Sequence, residues 1–340
     1  MSGAIIGVTG ATGHIGGLLL RRLLADPAIA EVRSVARRPL QPGPWGASFL
    51  GDIGGSASGQ ARLVHVCSDL RGADARKAVE GCDLLFHLGA QVWREPGAGG
   101  LAGMASVNID GTLNLVGSSR APRAVVFASS AAVYGAWPDN PLPLPETHEV
   151  HPNYECPYAQ HKLLAERICA NATARWAVAR LSAVLGAHAD ARVARAVRGY
   201  RLAVPAIAGA RQAVQWLDED DAVAGLLATG RDLLGPGKTA GQVVNLATSD
   251  WLSAADVARL ARSRVVALPR RVLLAAAETG RGLRLSPFGA DRAVLLSGPL
   301  ALSPEKAARL LGWEPSASSE QVMAAALLRD WHGAPMNRRP

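Results

Sequence analysis

The N-terminal segment constrains the fold of this chain more than any other part of it. Ala4-Ile5-Ile6-Gly7-Val8-Thr9 is an apolar run rich in β-branched side chains, the pattern of a buried strand. Thr9-Gly10-Ala11-Thr12-Gly13-His14-Ile15-Gly16 follows, and Leu18 to Leu24 reads as a helix. Strand, glycine turn and helix, in that order, form the context a dinucleotide fingerprint requires. Glycine removes the Cβ where backbone must approach a pyrophosphate, and the helix N-terminus offers N–H donors to the anion. The spacing is G-x-x-G-x-x-G, and glycines also serve plain turns. Placement between a strand and a helix makes Gly10, Thr12, Gly13, His14, Ile15 and Gly16 a candidate cofactor loop.

A second strand, Glu31 to Ala36, ends in Arg37-Arg38. An NAD-selective site places an acid about 20 residues past the glycines, to bond the ribose 2′-OH. No acid ends this strand. The forked donors of arginine suit a 2′-phosphate instead, which points to NADP as the preferred cofactor with NAD as the alternative. The competing reading is a pair of solvated loop arginines.

Strands and helices then alternate. Leu63–Cys67, Asp83–Leu88, Ala124–Ala128 and Ala177–Leu181 read as strands, and Ala73–Glu80 and Val107–Ser119 as helices. The polar features fall at the carboxyl ends of the strands, the edge where open parallel sheets bind ligands. Later, Asp190–Gly199 reads as a helix, Val204–Gly209 as an apolar loop, Trp216–Ala224 as the start of a helix, and Val243–Leu246 as a strand. Mostly helical segments follow Trp251, including one capped at Ser303-Pro304-Glu305-Lys306 and a last helix from Ser319 to Trp331. The fold class is α/β: a doubly wound parallel sheet (Rossmann) with a smaller, mostly helical C-terminal substrate-binding region. The dinucleotide-binding domain is expected over 1–185, completed by about 214–247. The substrate-binding region is expected over 186–213 and 248–335.

The chemistry centres on Tyr158 and Lys162, in Pro157-Tyr158-Ala159-Gln160-His161-Lys162. On a helix, positions i and i+4 share a face, so a phenol stands beside an ammonium. A free tyrosine has a pKa of about 10, and a neighbouring positive charge favours the phenolate. The pair is a candidate acid/base for chemistry at a C–O bond. A Y-x-x-x-K spacing alone also describes a solvated surface pair.

The totals narrow the class. The 340 residues are 49% hydrophobic and 19% charged, enough to build a sizeable core. The formal charge of +8 is carried mostly by arginine spread along the chain, with lysine only at Lys77, Lys162, Lys238 and Lys306. That distribution is a compositional bias and not a basic patch, so nucleic acid is not an expected partner. No apolar run reaches the ~18 residues of a membrane span, and no secretory pattern precedes the first strand, so a cytoplasmic protein is expected. Cys67, Cys82, Cys156 and Cys169 lack metal-ligand spacing, and no metal is expected.

Taken together, the ordered motifs resemble the extended short-chain dehydrogenase/reductases, the NAD-dependent epimerase/dehydratase family. The resemblance rests on Thr9 to Gly16, Asp69-Leu70, His87-Leu88-Gly89-Ala90, and Asn108 with Gly111-Thr112 and Asn114. It continues through Ser129-Ser130-Ala131-Ala132-Val133-Tyr134-Gly135, Pro157-Tyr158 with Lys162, Asp220-Asp221 and Leu311-Gly312-Trp313-Glu314-Pro315. It implies that Gly10, Gly13 and Gly16 line the pyrophosphate and that Asp69 and Leu70 sit at the adenine. Leu88, Gly89, Ala90, Asn108 and Ser129 would flank the cofactor. Tyr158 would exchange the proton, Ser130 would hydrogen-bond the substrate oxygen, and Lys162 would lower the phenol pKa and hold the nicotinamide ribose. Tyr134 suits a core role as well as a catalytic one. A possible homodimer through Val107–Ser119 and Tyr158–Ala170 is implied by the resemblance alone.

Departures from the family pattern guide the function. Dehydratases carry an Asp-Glu pair where this chain has Ala131-Ala132, so sugar dehydration is not expected. The leading expectation is an NADP(H)-dependent oxidoreductase (a ketoreductase) that interconverts a ketone and a secondary alcohol, with a small-molecule substrate. The alternative is a nucleotide-sugar epimerase with tightly bound NAD and a diphosphate pocket drawn from Arg192, Arg195, Arg198 and Arg211. A third reading is a non-catalytic dinucleotide sensor. Val265 to Ala277 is an apolar stretch that suits either a greasy pocket or core.

Overall fold

The computed structural model describes residues 3–40, 61–94, 99–173, 175–283, 285–286 and 288–329. In chain order the elements begin with β1 (Ala4–Thr9), α1 (His14–Leu24), β2 (Ile29–Ala36), β3 (Arg62–Cys67), α2 (Ala73–Val79) and β4 (Leu84–His87). Next come α3 (Gly100–Asn108), α4 (Asp110–Val116), β5 (Val125–Ser130), a 3-10 turn (Ala131–Tyr134), α5 (Pro157–Ala172) and β6 (Trp176–Leu181). They are followed by β7 (Ala183–Leu185), α6 (Ala191–Tyr200), β8 (Ala203–Ile207), β9 (Ala213–Val214), β10 (Trp216–Asp218), α7 (Glu219–Leu234) and β11 (Gln242–Leu246). The chain then forms α8 (Ala254–Ala261), β12 (Arg264–Leu268), α9 (Arg270–Gly282), α10 (Ala290–Ala293), β13 (Pro299–Leu300), α11 (Glu305–Leu311) and α12 (Ser319–Leu328).

These elements form two compact units. The first takes the residues up to Ser129, His161–Ala179 and Val223–Val244. It holds a seven-stranded parallel sheet in the order β11-β6-β5-β4-β1-β2-β3, with flanking helices. Ile6 and Val8 face one side of β1 and Gly7 and Thr9 the other, and all four are buried, as a strand covered by helices on both sides requires. Thr9 pairs with Val35 on one side and with His87 on the other, so the carboxyl ends of the central strands are level. Leu70, Val79, Leu85, Leu115, Phe127 and Val178 belong to one core cluster of this unit. Burying each such side chain is worth about 1.5–3 kcal/mol against leaving it in water.

The second unit takes Ser130–Gln160, Arg180–Ala222 and the residues from Asn245 on. It contains three two-stranded parallel pairs, β10 with β7, β12 with β8 and β13 with β9. Capping boxes start α8 at Ser253 with Asp256 and α12 at Ser318 with Gln321.

Several local expectations are corrected. Val107–Ser119 is not one helix, because α3 begins at Gly100 and Ile109 separates it from α4. Val204 to Ile207 is not a loop but lies in β8, paired with β12 from Ala203↔Arg264 to Ile207↔Leu268. Trp216–Asp218 is a strand, and the helix starts at Glu219. Pro304, not Ser303, is the cap residue of α11, and the Ser303 hydroxyl accepts from the Glu305 N–H at 3.4 Å. Val265 to Ala277 is not simply core. Val265, Val266 and Val272 are exposed, whereas Leu273 and Leu274 turn inward. An open groove of about 640 Å³ runs along α9 between Val272, Ala275, Thr279, Leu283 and Leu285.

Candidate active site

The glycine loop is built by backbone packed on backbone. Gly10 has φ +74°, and a Cβ there would stand 2.8 Å from the Gly89 nitrogen. Its own N–H donates to the Val35 carbonyl at 3.0 Å, and Gly13 N–H donates to the Gly10 carbonyl at 2.8 Å. A Cβ on Gly16 would fall 2.2 Å from the Gly10 oxygen. No side chain caps α1 at Gly13. A helix start without a side-chain cap leaves N–H donors for an anion, and the missing Cβ atoms leave the approach clear. These features fit a dinucleotide pyrophosphate. Thr12, His14 and Ile15 are half-buried in the same turn.

A polar latch joins this loop to the end of β4. Thr112 Oγ1 donates to the Asn108 carbonyl at 2.7 Å, so it accepts from His87 Nε2 at 2.9 Å. His87 Nδ1 is then an acceptor, and Thr9 Oγ1 donates to it at 2.7 Å. The same Thr9 oxygen accepts the Gly89 N–H at 3.0 Å. Asn108 adds a reciprocal clamp: its Oδ1 accepts from Gln91 N–H at 2.7 Å, and its Nδ2 donates to the Gln91 carbonyl at 3.0 Å. Leu88, Gly89 and Ala90 are thereby fixed beside the glycine turn.

His87 is fully buried, and that burial pushes its pKa down to about 3, with the Lys162 charge adding to the effect. An unfolded histidine takes up its proton near pH ~6.5. Between those values the unfolded chain binds a proton that the folded chain refuses. Stability from this group is therefore lost as pH falls below ~6.5, by about 1.4 kcal/mol per pH unit. Urea midpoints at pH 7, 5.5 and 4.5 should fall more steeply for the native protein than for His87→Gln. Parallel slopes would refute the assignment.

Asp69 is engaged by Arg71, whose backbone N–H donates to it at 3.0 Å and whose Nε does so at 2.7 Å. The Arg71 side-chain hydrogen bond holds the carboxyl below its usual range, and Arg37 contributes to the same field. Leu70 is buried against Gly89 and Gly111, and Asn114 Nδ2 donates to its carbonyl at 2.7 Å. Arg37 and Arg38 are exposed just past β2, and the Arg38 carbonyl accepts from His65 Nε2 at 3.1 Å.

At the end of β5, Lys162 Nζ donates to the Ala128 carbonyl at 2.7 Å and lies 4.6 Å from the Phe127 ring centroid. Burial pushes its pKa down to about 8, against the opposing pull of Cys169 and Glu166. The neighbouring Ser129 hydroxyl donates to the buried Glu166 carboxylate. Ser129 therefore ties strand to helix, a role its sequence position did not disclose. Glu166, one turn past Lys162, was detectable only as a second i+4 step on the same face.

In the second unit, Ser130 Oγ accepts the Ala132 N–H at 3.2 Å and opens the 3-10 turn. Ala131 and Ala132 are buried and bring no carboxylate. Tyr134 is core: it is fully buried, donates to Asn245 Oδ1 at 3.0 Å, and has Arg180 4.7 Å over its ring. Tyr158 lies in the first turn of α5, four residues before Lys162 on the same helix. Burial pushes its phenol up to about 12, with Arg292 opposing the shift. The phenol is thus raised where a lowering was expected, with Arg292 as the cation that opposes the shift. Glu219 accepts the N–H groups of Ala187 and His188 at 2.9 and 3.0 Å and fixes the turn after β7. Among the described residues there is no cluster of metal-ligating side chains, and no helix is long and apolar enough to cross a membrane.

Comparison with known proteins agrees with this architecture. A sequence model described as the NAD dependent epimerase/dehydratase family matches residues 6–247. MoeE5 in complex with UDP-glucuronic acid and NAD superposes with a TM-score of 0.69 at 19% identity, covering 95% of this chain and 97% of that one. Pal from Bacillus thuringiensis gives 0.71 at 19% identity over 95% and 97%. The dTDP-glucose 4,6-dehydratase of Bacillus anthracis, in complex with NAD, gives 0.67 at 15% identity over 95% of each chain. No curated protein sequence matches the chain.

Proposed function

The chain belongs to the NAD dependent epimerase/dehydratase family, and from that premise we propose that it is an NADP(H)-dependent oxidoreductase interconverting a ketone and a secondary alcohol. The observation that carries this reading is the start of α5, where Tyr158 stands one turn before a Lys162 anchored on the Ala128 carbonyl. The nicotinamide, when bound, supplies or accepts the hydride at the carbonyl carbon. Tyr158 gives the proton to the oxygen in reduction and removes it in oxidation. Ser130 donates a hydrogen bond to that oxygen, and the Lys162 ammonium holds the cofactor ribose. The glycine loop takes the pyrophosphate, and Arg37 and Arg38 take the 2′-phosphate, since β2 ends without an acid. Residues 186–213 and 248–335 supply the substrate contacts.

Ala131 and Ala132 disfavour dehydration, because the acid and base that would remove water are replaced by methyl groups. Epimerisation stays as a second reading. It is favoured by likeness to a UDP-galactose 4-epimerase, with a TM-score of 0.65 at 20% identity. Arg195 and Arg198 are exposed on α6, and Arg195 donates to the Leu285 carbonyl, which weakens their use as a diphosphate pocket.

One set of measurements separates the readings. NADP should bind at least tenfold more tightly than NAD by titration, and NADPH should be oxidised in the presence of some members of a ketone panel. Stabilisation by UDP-, GDP- or dTDP-sugars with a preference for NAD would replace the proposal with the epimerase. Failure of every ketone to oxidise NADPH, with tight dinucleotide binding, would leave the sensor.

A further inference from the structure

The ring of Tyr158 is held from two directions within its own unit. On one side it packs on the cluster of Ala132, Cys156, Leu274, Ala293 and Val294. On the other, the guanidinium carbon of Arg292 lies 4.7 Å from the ring centroid. Arg292 comes from α10, far from Tyr158 in sequence, and its side chain is only 16% exposed. The Asp291 carboxylate lies 3.8 Å from its Nε, too far for a strong pair.

We propose that Arg292 is a positioning residue for Tyr158: its stacked guanidinium fixes the phenol ring in one orientation and stabilises the ring in its deprotonated form. The proposal rests on the reading of Tyr158 as the acid/base, and it adds a cation to the site beyond Lys162. The physics is direct. A cation over a tyrosine face is attracted by the ring quadrupole, and the attraction grows when the ring carries a full negative charge. Partial burial of the pair limits the screening that water would otherwise impose. Arg292 and the Cys156 thiol act electrostatically on the phenol. Burial raises the thiol pKa. The remaining side chains of the cluster, Ala132, Leu274, Ala293 and Val294, bear no charge. During reduction Tyr158 loses its proton to the new alcohol, and Arg292 then faces a phenolate.

The test needs no known substrate. The chain has four tyrosines, so the near-ultraviolet phenolate absorbance of the native protein minus that of Tyr158→Phe isolates the titration of Tyr158. Arg292→Met keeps the length of the side chain and removes its charge. Arg292→Lys keeps the charge and serves as the second variant should the methionine protein fail to fold. The titration is run on the free protein and on its NADP+ complex. With Arg292→Met the midpoint should move to higher pH by about one unit or more, while Arg292→Lys should stay within a few tenths of the native value. A midpoint unmoved in Arg292→Met would overturn the proposal. So would an equal shift in both variants, which would mark a packing role independent of charge. Should Tyr158→Phe turn over ketones at the native rate, the functional reading fails instead, whatever the titration shows.

Discussion

Tyr158→Phe should keep its affinity for NADP(H) and lose turnover by about 10²–10⁴-fold, the range general acid–base catalysis supplies. The substitution deletes one oxygen and leaves the ring. The contacts with the cluster of Ala132, Cys156 and Leu274 survive, and so does the stack under Arg292. Stability should change little, because the loss is confined to one hydroxyl. Cofactor titration, a thermal melt and NADPH oxidation with an active ketone read the three quantities separately. Native turnover in the variant would remove Tyr158 from the mechanism. A large drop in melting temperature would instead place its hydroxyl in the structure.

Gly16→Ala should be the most damaging single-methyl change in the first unit. The added Cβ would sit 2.2 Å from the Gly10 oxygen and 2.8 Å from its carbonyl carbon, and neither is the end of a flexible side chain. Relief requires α1 to move away from the turn. Gly10 cannot yield easily, because its own φ of +74° and its packing on Gly89 fix it. Overpacking of this kind costs about 1–3 kcal/mol or more. The backbone of the turn, the proposed pyrophosphate site, would shift with the helix, so NADP(H) affinity should fall about 100-fold or more. Equilibrium titration checks affinity, and a thermal melt checks the fold. A Gly16→Ala protein that binds as tightly as the native one would show that the turn is not the pyrophosphate site.

Much of the first unit was legible because its signals are local. The apolar run of β1, the glycine spacing and the helix after it lie within one stretch of chain, and the parallel sheet follows from their alternation. The Tyr158–Lys162 spacing was equally local. Other features depend on partners remote in sequence. Val204-Pro205-Ala206-Ile207 looks like a loop until β12 pairs with it. The apolar run from Val265 suits a pocket or core by its composition, yet Val265 and Val266 stay exposed in a strand paired with β8. Arg292 carries no motif at all, and only the fold brings it over Tyr158. The hydroxyl of Ser129 donates to Glu166, a partner that its own stretch of sequence does not announce. Asn108 is similar: its amide bonds both polar groups of the Gln91 backbone.

The way the two units share the chain bears on how the protein is made. The first unit needs β11, which ends at Leu246, to complete its sheet, so β6, which ends at Leu181, emerges from a ribosome well before its outer neighbour. The outer edge of β6 stays unpaired until β11 is made, which is an interval in which a nascent sheet is open to aggregation or to chaperones. No single cut in the gene separates the two units, so neither can be harvested as a simple fragment.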